Sequence, residues 1–327
     1  MVMKLGTLKT SSRDGKLVVV SKDLSRYASA TVGTMQLLIE NWDNHEKSLI
    51  EIYTKLNNEV EYGEKVDFNK FHSPLPRAYQ WLDGSAYVTH VELVRKSRGV
   101  ELPESFWSDP LMYQGASDSF IGPRDDIQWQ NPKWGLDLEA ELAVITGDVT
   151  MASSVDECGK NIKLLMMVND VSLRGLIPSE LKKGFGFING KPATAFAPVA
   201  ITPDELGNNW QDFKVNKNIT SKINDVKLGS PLASQDMTFN FAQLVAHASK
   251  TRHLHAGTII GSGTIANKNY KEVGSSCLLE KRMIEKIETG DFVTPFLKVN
   301  DQIEIDVKDS DGKSIFGAIK QKVVEYK

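Results

Sequence analysis

Carboxylates recur in this chain where their neighbours are apolar. In WGLDLEAELAVI, residues 134 to 145, Glu139 and Glu141 stand two apart among Leu138, Ala140 and Leu142. On a β-strand, residues i and i+2 share a face, so this spacing sets two carboxylates side by side. Exposed, the pair is a solvated acidic strand face. Buried, it is costly unless a cation lies between the two groups. A third carboxylate, Asp170, ends the apolar run KLLMMVND, and Asp83 lies upstream in the segment that carries His90. Carboxylates without a His or Cys cluster suit a hard divalent cation: Mg²⁺, Ca²⁺ or Mn²⁺. Zinc is disfavoured, because His253 and His255 lack a third ligand at a familiar spacing. His90 can be a packed histidine or a base that titrates near neutral pH. Arg174 can pair with Asp170 at helix-like spacing, and Glu280, beside Lys281 and Arg282, can be a surface glutamate.

The elements that must position these groups are mostly strands. Residues 4–9 and 16–20 flank an Asp14-Gly15 turn and read as a hairpin. Thr34 can cap a helix in which Met35, Leu38, Ile39, Trp42, Leu49, Ile52, Tyr53 and Leu56 recur at helical spacing. Hairpin and helix suggest a small N-terminal α+β domain over 1–72, with the catalytic domain over 73–327. Beyond residue 72 short strand patterns alternate with Gly, Pro and Asp. The apolar run 163–168 reads as a buried strand that leaves the core at Asn169-Asp170. Helices are expected over 154–162, capped by Ser153 or Ser154, and over 236–248. Residues 213–229 read as hairpins, and 258–267 as a strand broken by Gly261 and Gly263. Residues 274–282 read as a short apolar run that ends at Glu280. GFGFINGKP, residues 184–192, is a glycine-rich loop that ends in Lys191-Pro192. Strands in irregular order with few helices predict a mainly β fold with some α, a β-roll or β-sandwich and not a βαβ array.

Composition narrows the function. The chain has 327 residues, 41% hydrophobic and 25% charged, with a net charge of −3, so nothing suggests a nucleic-acid or membrane partner. No apolar run approaches the roughly 18–20 residues of a membrane span, and the N-terminus lacks a signal-peptide core. Cys158 and Cys277 lie far apart, which predicts free thiols and a cytoplasmic location. No GxGxxG or Walker sequence is present, so a nucleotide cofactor is not expected.

Taken in order, the motifs resemble the fumarylacetoacetate hydrolase family. They are Asp83 with His90 seven residues on, Tyr113 in Tyr-x-Gly, Glu139-x-Glu141, Asn-Asp170-x-Ser-x-Arg174, Gly-Lys191, Ser-Gly-Thr264 and Glu280. The series spans about residues 75–305, and the N-terminal seventy residues look like the short extra domain of the bacterial fumarylacetoacetase-like branch. The resemblance implies that Asp83, Glu139, Glu141 and Asp170 bind the metal. It implies that His90 activates water with Glu280 orienting it, that Arg174 and Lys191 bind substrate oxygens and the developing anion, and that Tyr113 and Thr264 touch substrate. The implied reaction is hydrolysis of a carbon–carbon bond in a 3,5-diketo acid, fumarylacetoacetate or a related acylpyruvate, in aromatic amino-acid breakdown, by a homodimer. The alternatives are a 2-oxo-acid hydratase or decarboxylase, and a non-catalytic binder of a metal and an oxo acid. The chain departs from the pattern at Ile177, where glutamine is expected, and at Ser85 and Leu181, where aromatics are expected. Arg98 stands where a basic residue past the histidine is looked for. These departures fall at positions that the resemblance assigns to substrate contact and leave the metal set intact.

Overall fold

A computed structural model describes residues 2–96 and 101–326. At its centre, β9 (Ala140–Thr146) and β10 (Ile162–Asn169) pair antiparallel, with Ala140 opposite Asn169 and Glu141 opposite Val168. All of β9 is buried, and all of β10 but Lys163. Alternate residues serve two cores. Ala140, Leu142 and Val144 join one with Leu165 and Met167; Ala143 and Ile145 join the other with Leu164, Met166 and Val168. A strand covered on both faces needs an unbroken apolar run, which is what 163–168 supplies.

Among the described residues, eleven strands form the larger sheet. Its order is β4 (Glu64–Lys65), β3 (Arg26–Ser29), β2 (Lys16–Val20), β1 (Lys4–Leu8), β13 (Val199–Ile201), β10, β9, β18 (Ile259–Gly261), β5 (Trp81–Gly84) and β6 (Met112–Gln114), with β12 (Ala195–Phe196) beside β10. Helices α1 (Met35–Glu40) and α2 (Trp42–Asn58) cover one face through Met35, Leu38, Trp42, Leu49 and Tyr53. A five-stranded sheet covers the other, in the order β17 (Val226–Gly229), β16 (Ile219–Ile223), β19 (Gln302–Val307), β20 (Ile319–Glu325) and β7 (Ile127–Trp129). Ile219, Ile303, Ile305, Ile319 and Val323 fill that interface. The molecule is therefore layered helix, sheet, sheet: mainly β with some α, a sandwich of two sheets. Two short pairs, β8 (Leu136–Asp137) with β11 (Ser172–Leu173) and β14 (Trp210–Gln211) with β15 (Lys214–Val215), lie outside these sheets. The remaining helices are α3 (Val88–Lys96), α4 (Val155–Lys160), α5 (Ile177–Leu181), α6 (Phe241–Ala248), α7 (Tyr270–Val273) and α8 (Leu278–Thr289).

Several elements differ from the sequence reading for local reasons. Thr34 does cap its helix, accepting the Leu37 N–H at 3.2 Å, but the helix breaks at Asn41, whose amide donates to the Leu37 carbonyl. Ser154, not Ser153, caps α4, in a capping box with Glu157. The strand expected over 258–267 keeps only Ile259–Gly261. The apolar run before Glu280 leads into a helix, so Glu280 sits near a helix N-terminus.

The N-terminal strands extend the larger sheet: Leu5 of β1 pairs with Ala200 of β13. Strands that share a ladder lose it together. We expect one cooperative unfolding transition, with far-UV ellipticity and tryptophan fluorescence coinciding in denaturant. Two separated transitions would show that residues before 72 unfold on their own.

Candidate active site

The sandwich brings four carboxylates to one point. Asp83, Glu139, Glu141 and Asp170 each offer one oxygen, and these oxygens lie within 4.8 Å of one another. All four residues are buried. Asp83 reaches the site from β5, where it stands opposite Gly261 of β18 and Tyr113 of β6. A Cβ at Gly261 would stand 2.3 Å from Asp83 Oδ1, so the carboxylate lies in space that only glycine leaves free. Glu141 belongs to β9. Glu139 lies before that strand begins and forms a bridge with Cys277 instead. Asp170 follows the last residue of β10, and its N–H donates to the Glu139 carbonyl at 3.0 Å. The expected pair on one strand face is therefore a pair across a strand end.

Hydrogen-bond donors surround two of the four. Glu139 accepts from Ser172 Oγ at 3.0 Å, Thr264 Oγ1 at 2.6 Å and Lys191 Nζ at 3.3 Å, and its other cation is Arg174. Asp170 accepts from Tyr113 Oη at 2.7 Å, Thr194 Oγ1 at 2.9 Å and Lys191 Nζ at 2.5 Å. Glu141 is different: both oxygens are buried and find no donor among the described residues. The titration behaviour follows. Burial, then the charge of Asp170, pushes Asp83 well above the carboxylate range; burial, then Asp83, does the same to Glu141. Burial acts on Glu139 as well, but Arg174 and then Lys191 outweigh it and hold that group well below the range. Burial opposes the Lys191 charge, yet Asp170 and Glu139 hold its ammonium above the usual range. Burial and then Asp170 push the Tyr113 phenol well up.

Four converging oxygens, with no donor to either oxygen of Glu141 among the described residues, fit a hard divalent cation in charge and in ligand type. Asp83, Glu139, Glu141 and Asp170 would hold it.

His90 Nδ1 lies 2.9 Å from Glu280 Oε2, and Glu280 stands three residues past Cys277, the bridge partner of Glu139. His90 comes from α3 and Glu280 from the first turn of α8, two helices that pack together. Glu280 is fully buried, not a surface glutamate. A carboxylate only accepts, so Nδ1 carries a proton, and in the neutral imidazole Nε2 is the acceptor.

Arg174 pairs with Asp137 and Glu139, not with Asp170. Asp137 escaped the sequence reading. It is wholly buried and accepts from Arg174 Nε at 2.9 Å and from the Leu278 and Leu279 N–H groups at 2.8 and 2.9 Å. One carboxylate thus orients Arg174 and caps the helix that carries Glu280. Its signal was present: Asp137 extends the Glu139–Glu141 alternation by one step. Ser172, Thr194 and Asn169, which accepts the Glu139 N–H at 3.2 Å, carried no comparable signal. Of the departures, Ile177 opens α5 and packs against Gly190, Leu181 is half exposed at the end of α5, and the Ser85 N–H donates to the Leu111 carbonyl. Arg98 lies outside the described residues.

Residues 80–324 match the profile of the fumarylacetoacetate (FAA) hydrolase C-terminal domain. The chain belongs to this family. Residues 3–77 match fumarylacetoacetase N-terminal domain 2. A 2,4-didehydro-3-deoxy-L-rhamnonate hydrolase of Sphingomonas sp. (strain SKA58) is 28% identical over 58% of this chain, a match that spans 64% of that relative's own length. An oxaloacetate tautomerase of Bacillus subtilis is 26% identical over 67% of this chain and 70% of its own. Among solved structures, a fumarylacetoacetate hydrolase from Exiguobacterium antarcticum aligns over 99% of this chain and all of its own, at 14% identity and a TM-score of 0.66. A maleylpyruvate hydrolase from Sphingobium sp. SYK-6, in complex with manganese(II) and pyruvate, aligns over the same shares, at 14% identity and a TM-score of 0.65. Both share the fold. Hydrolases and tautomerases thus stand among this chain's relatives. Among the described residues, no helix is long and apolar enough to cross a membrane.

Two outcomes follow. A carboxyl group raised in the fold, as at Asp83 and Glu141, keeps its proton where the unfolded chain has lost it. The metal-free fold therefore loses stability as pH rises from about 4 through the raised values. A divalent cation must displace those protons. The rise in Tm on adding Mg²⁺ or Mn²⁺ should therefore grow between about pH 5 and about pH 8, and a pH-independent rise would contradict the site. Gly261→Ala, which thrusts a methyl at Asp83, should weaken that metal-dependent rise with the fold intact by circular dichroism.

Proposed function

We propose that this chain is a divalent-metal-dependent hydrolase that cleaves a carbon–carbon bond in a 3,5-diketo acid, fumarylacetoacetate or a related acylpyruvate, in aromatic amino-acid breakdown. The observation that carries the proposal is the His90–Glu280 hydrogen bond, with Glu280 on a helix whose start is tied to Asp137 and, through Cys277, to Glu139, because a binder of metal and oxo acid needs no oriented base. The cation is Mg²⁺, Ca²⁺ or Mn²⁺; the manganese in the Sphingobium maleylpyruvate hydrolase supports the last. A cytoplasmic homodimer belongs to the same reading.

When bound, the cation supplies charge that polarises a β-dicarbonyl and favours its enolate. The chain does the rest. His90 Nε2 takes a proton from water as the water oxygen bonds to the carbonyl carbon. Glu280 holds Nδ1–H and stabilises the imidazolium. The carbon–carbon bond then breaks, its electron pair leaves with the methylene carbon, and that carbon regains a proton. A carboxylic acid and a shorter oxo acid result. Lys191 and Arg174 place positive charge where the anion develops, a contribution of typically a few kcal/mol per donor. Tyr113 and Thr264 bound the site and contact the substrate.

A second reading is keto–enol tautomerisation of a 2-oxo acid such as oxaloacetate, favoured by the Bacillus relative. Product analysis separates the two. Purified protein with Mg²⁺ should discharge the ultraviolet absorbance of an acylpyruvate and release pyruvate stoichiometrically. Loss of enol absorbance from oxaloacetate, with the acylpyruvate untouched, would favour the tautomerase. His90→Ala should keep metal and lose roughly 10²–10⁴-fold in turnover. Glu139→Ala should lose both metal and turnover, and the opposite pattern would overturn the roles.

A further inference from the structure

The segment between Arg174 and Lys191 has a fixed stem and a free tip. Glu180, in α5, turns its carboxylate under the returning chain. Oε1 accepts the N–H groups of Ile188 at 3.1 Å and Asn189 at 2.8 Å, and Oε2 accepts that of Gly190 at 2.9 Å. Glu180 is only 8% exposed. A Cβ at Gly190 would stand 2.8 Å from Glu180 Oε2 and 2.8 Å from the Ile177 side chain, so the backbone closes on the carboxylate only because glycine is there. On the other side, the Gly190 carbonyl accepts the Leu173 N–H of β11 at 2.9 Å. The tip has none of this. Gly184 and Gly186 take positive φ of 76° and 97° with open space around them, and Phe185 is 99% exposed. The chain is held where it comes back to the site.

Lys191 is the next residue. Its ammonium stands between Asp170 and Glu139 and 5.2 Å from the centre of the Tyr113 ring, against which Phe187 packs edge-on. Lysine reaches its partners through four flexible bonds, and its charge alone does not choose a place among several acids. The place is chosen by the backbone from which it springs. Three N–H groups gathered by one carboxylate make charge-assisted hydrogen bonds, stronger than neutral ones.

We propose that Glu180 is a positioning residue that fixes where the Lys191 ammonium stands between Asp170 and Glu139. The inference rests on the reading of the carboxylate cluster as a cation site. Glu180 touches neither the cluster nor a substrate and acts through residues 188–190. Where Lys191 stands sets how strongly its charge opposes a divalent cation held by the same acids.

The test is a double-mutant cycle on the full chain, with Mn²⁺ affinity measured by calorimetry. Lys191→Met removes a positive charge beside two of the ligands and should tighten Mn²⁺ on the order of tenfold. Glu180→Gln keeps the volume but presents an amide to N–H donors, so it should release the stem and tighten Mn²⁺ about threefold, in the same direction. The double variant should bind Mn²⁺ as Lys191→Met alone does, because a positioning residue has no effect once its client is gone. Glu180→Asp, which retains the charge, should fall between wild type and Glu180→Gln, and it replaces that variant in the cycle should Glu180→Gln not fold. An unchanged Mn²⁺ affinity in Glu180→Gln, or an effect that adds in full to that of Lys191→Met, would overturn the proposal and leave Glu180 a loop anchor only. Absence of Mn²⁺ binding by the wild type would sink the cation reading instead. Glu180 is then judged by the same cycle in metal-free thermal unfolding, where the fall in Tm caused by Glu180→Gln should shrink in the Lys191→Met background, and an undiminished fall overturns it.

Discussion

Mutual repulsion among buried carboxylates is the constraint on which the site depends. Asp83, Glu139, Glu141 and Asp170 converge where water cannot screen them. The fold meets this in two ways. Glu139 and Asp170 receive the side-chain donors and both nearby cations, while Asp83, which accepts the Gly263 N–H at 3.2 Å, and Glu141 are left to protonation or to a metal. The division is asymmetric, and the asymmetry is informative. Lys191 and Arg174 already serve the acids, so their first duty is charge balance, and any contact with substrate comes on top of it.

A second layer of buried polar groups holds that balance in place. Asp137 ties Arg174 to the start of α8, so the guanidinium and the Glu280 carboxylate share one anchor. Asn169 accepts the Glu139 N–H and donates to Gln321 at 3.0 Å, which links the cluster to β20 of the second sheet. The site stands at the strand ends, but residues from both sheets support it. Buried polar networks of this kind are stable only when nearly every member is satisfied. Both Glu141 oxygens and Glu280 Oε1 are among the buried atoms without a hydrogen-bond partner in the described residues, with Trp81 Nε1, Trp129 Nε1, Thr146 Oγ1, Ser276 Oγ and one Arg174 nitrogen.

The ordered series of charged residues made much of this legible beforehand. The family and the mainly β fold followed from it, and the four carboxylates it named do converge. The burial of β10 was visible in its unbroken apolar run. What sequence hid was three-dimensional. Arg174 looked four residues from Asp170 and faces Asp137 instead, because the chain turns into β11 between them. Glu280 could be read as a surface glutamate after a short apolar run, but the Cys277 thiol caps a helix there and accepts the Glu280 N–H at 3.3 Å. Asn41 breaks a helix whose apolar period runs on undisturbed. Thr194 and Ser172 carry no charge, and a hydroxyl is too common a group to mark a site by type alone.

The pairing of β1 with β13 also bears on how the molecule is made. During synthesis the hairpin of β1 and β2 leaves the ribosome long before β13, so Leu5 must wait for Ala200 before its open edge is covered. Until then a nascent chain carries an unpaired strand edge beside apolar residues, the condition that invites association with other chains. Long-range pairing of this kind also slows folding. The helices α1 and α2, which emerge soon after the hairpin and pack over its inner face, are placed to shield it in the interval.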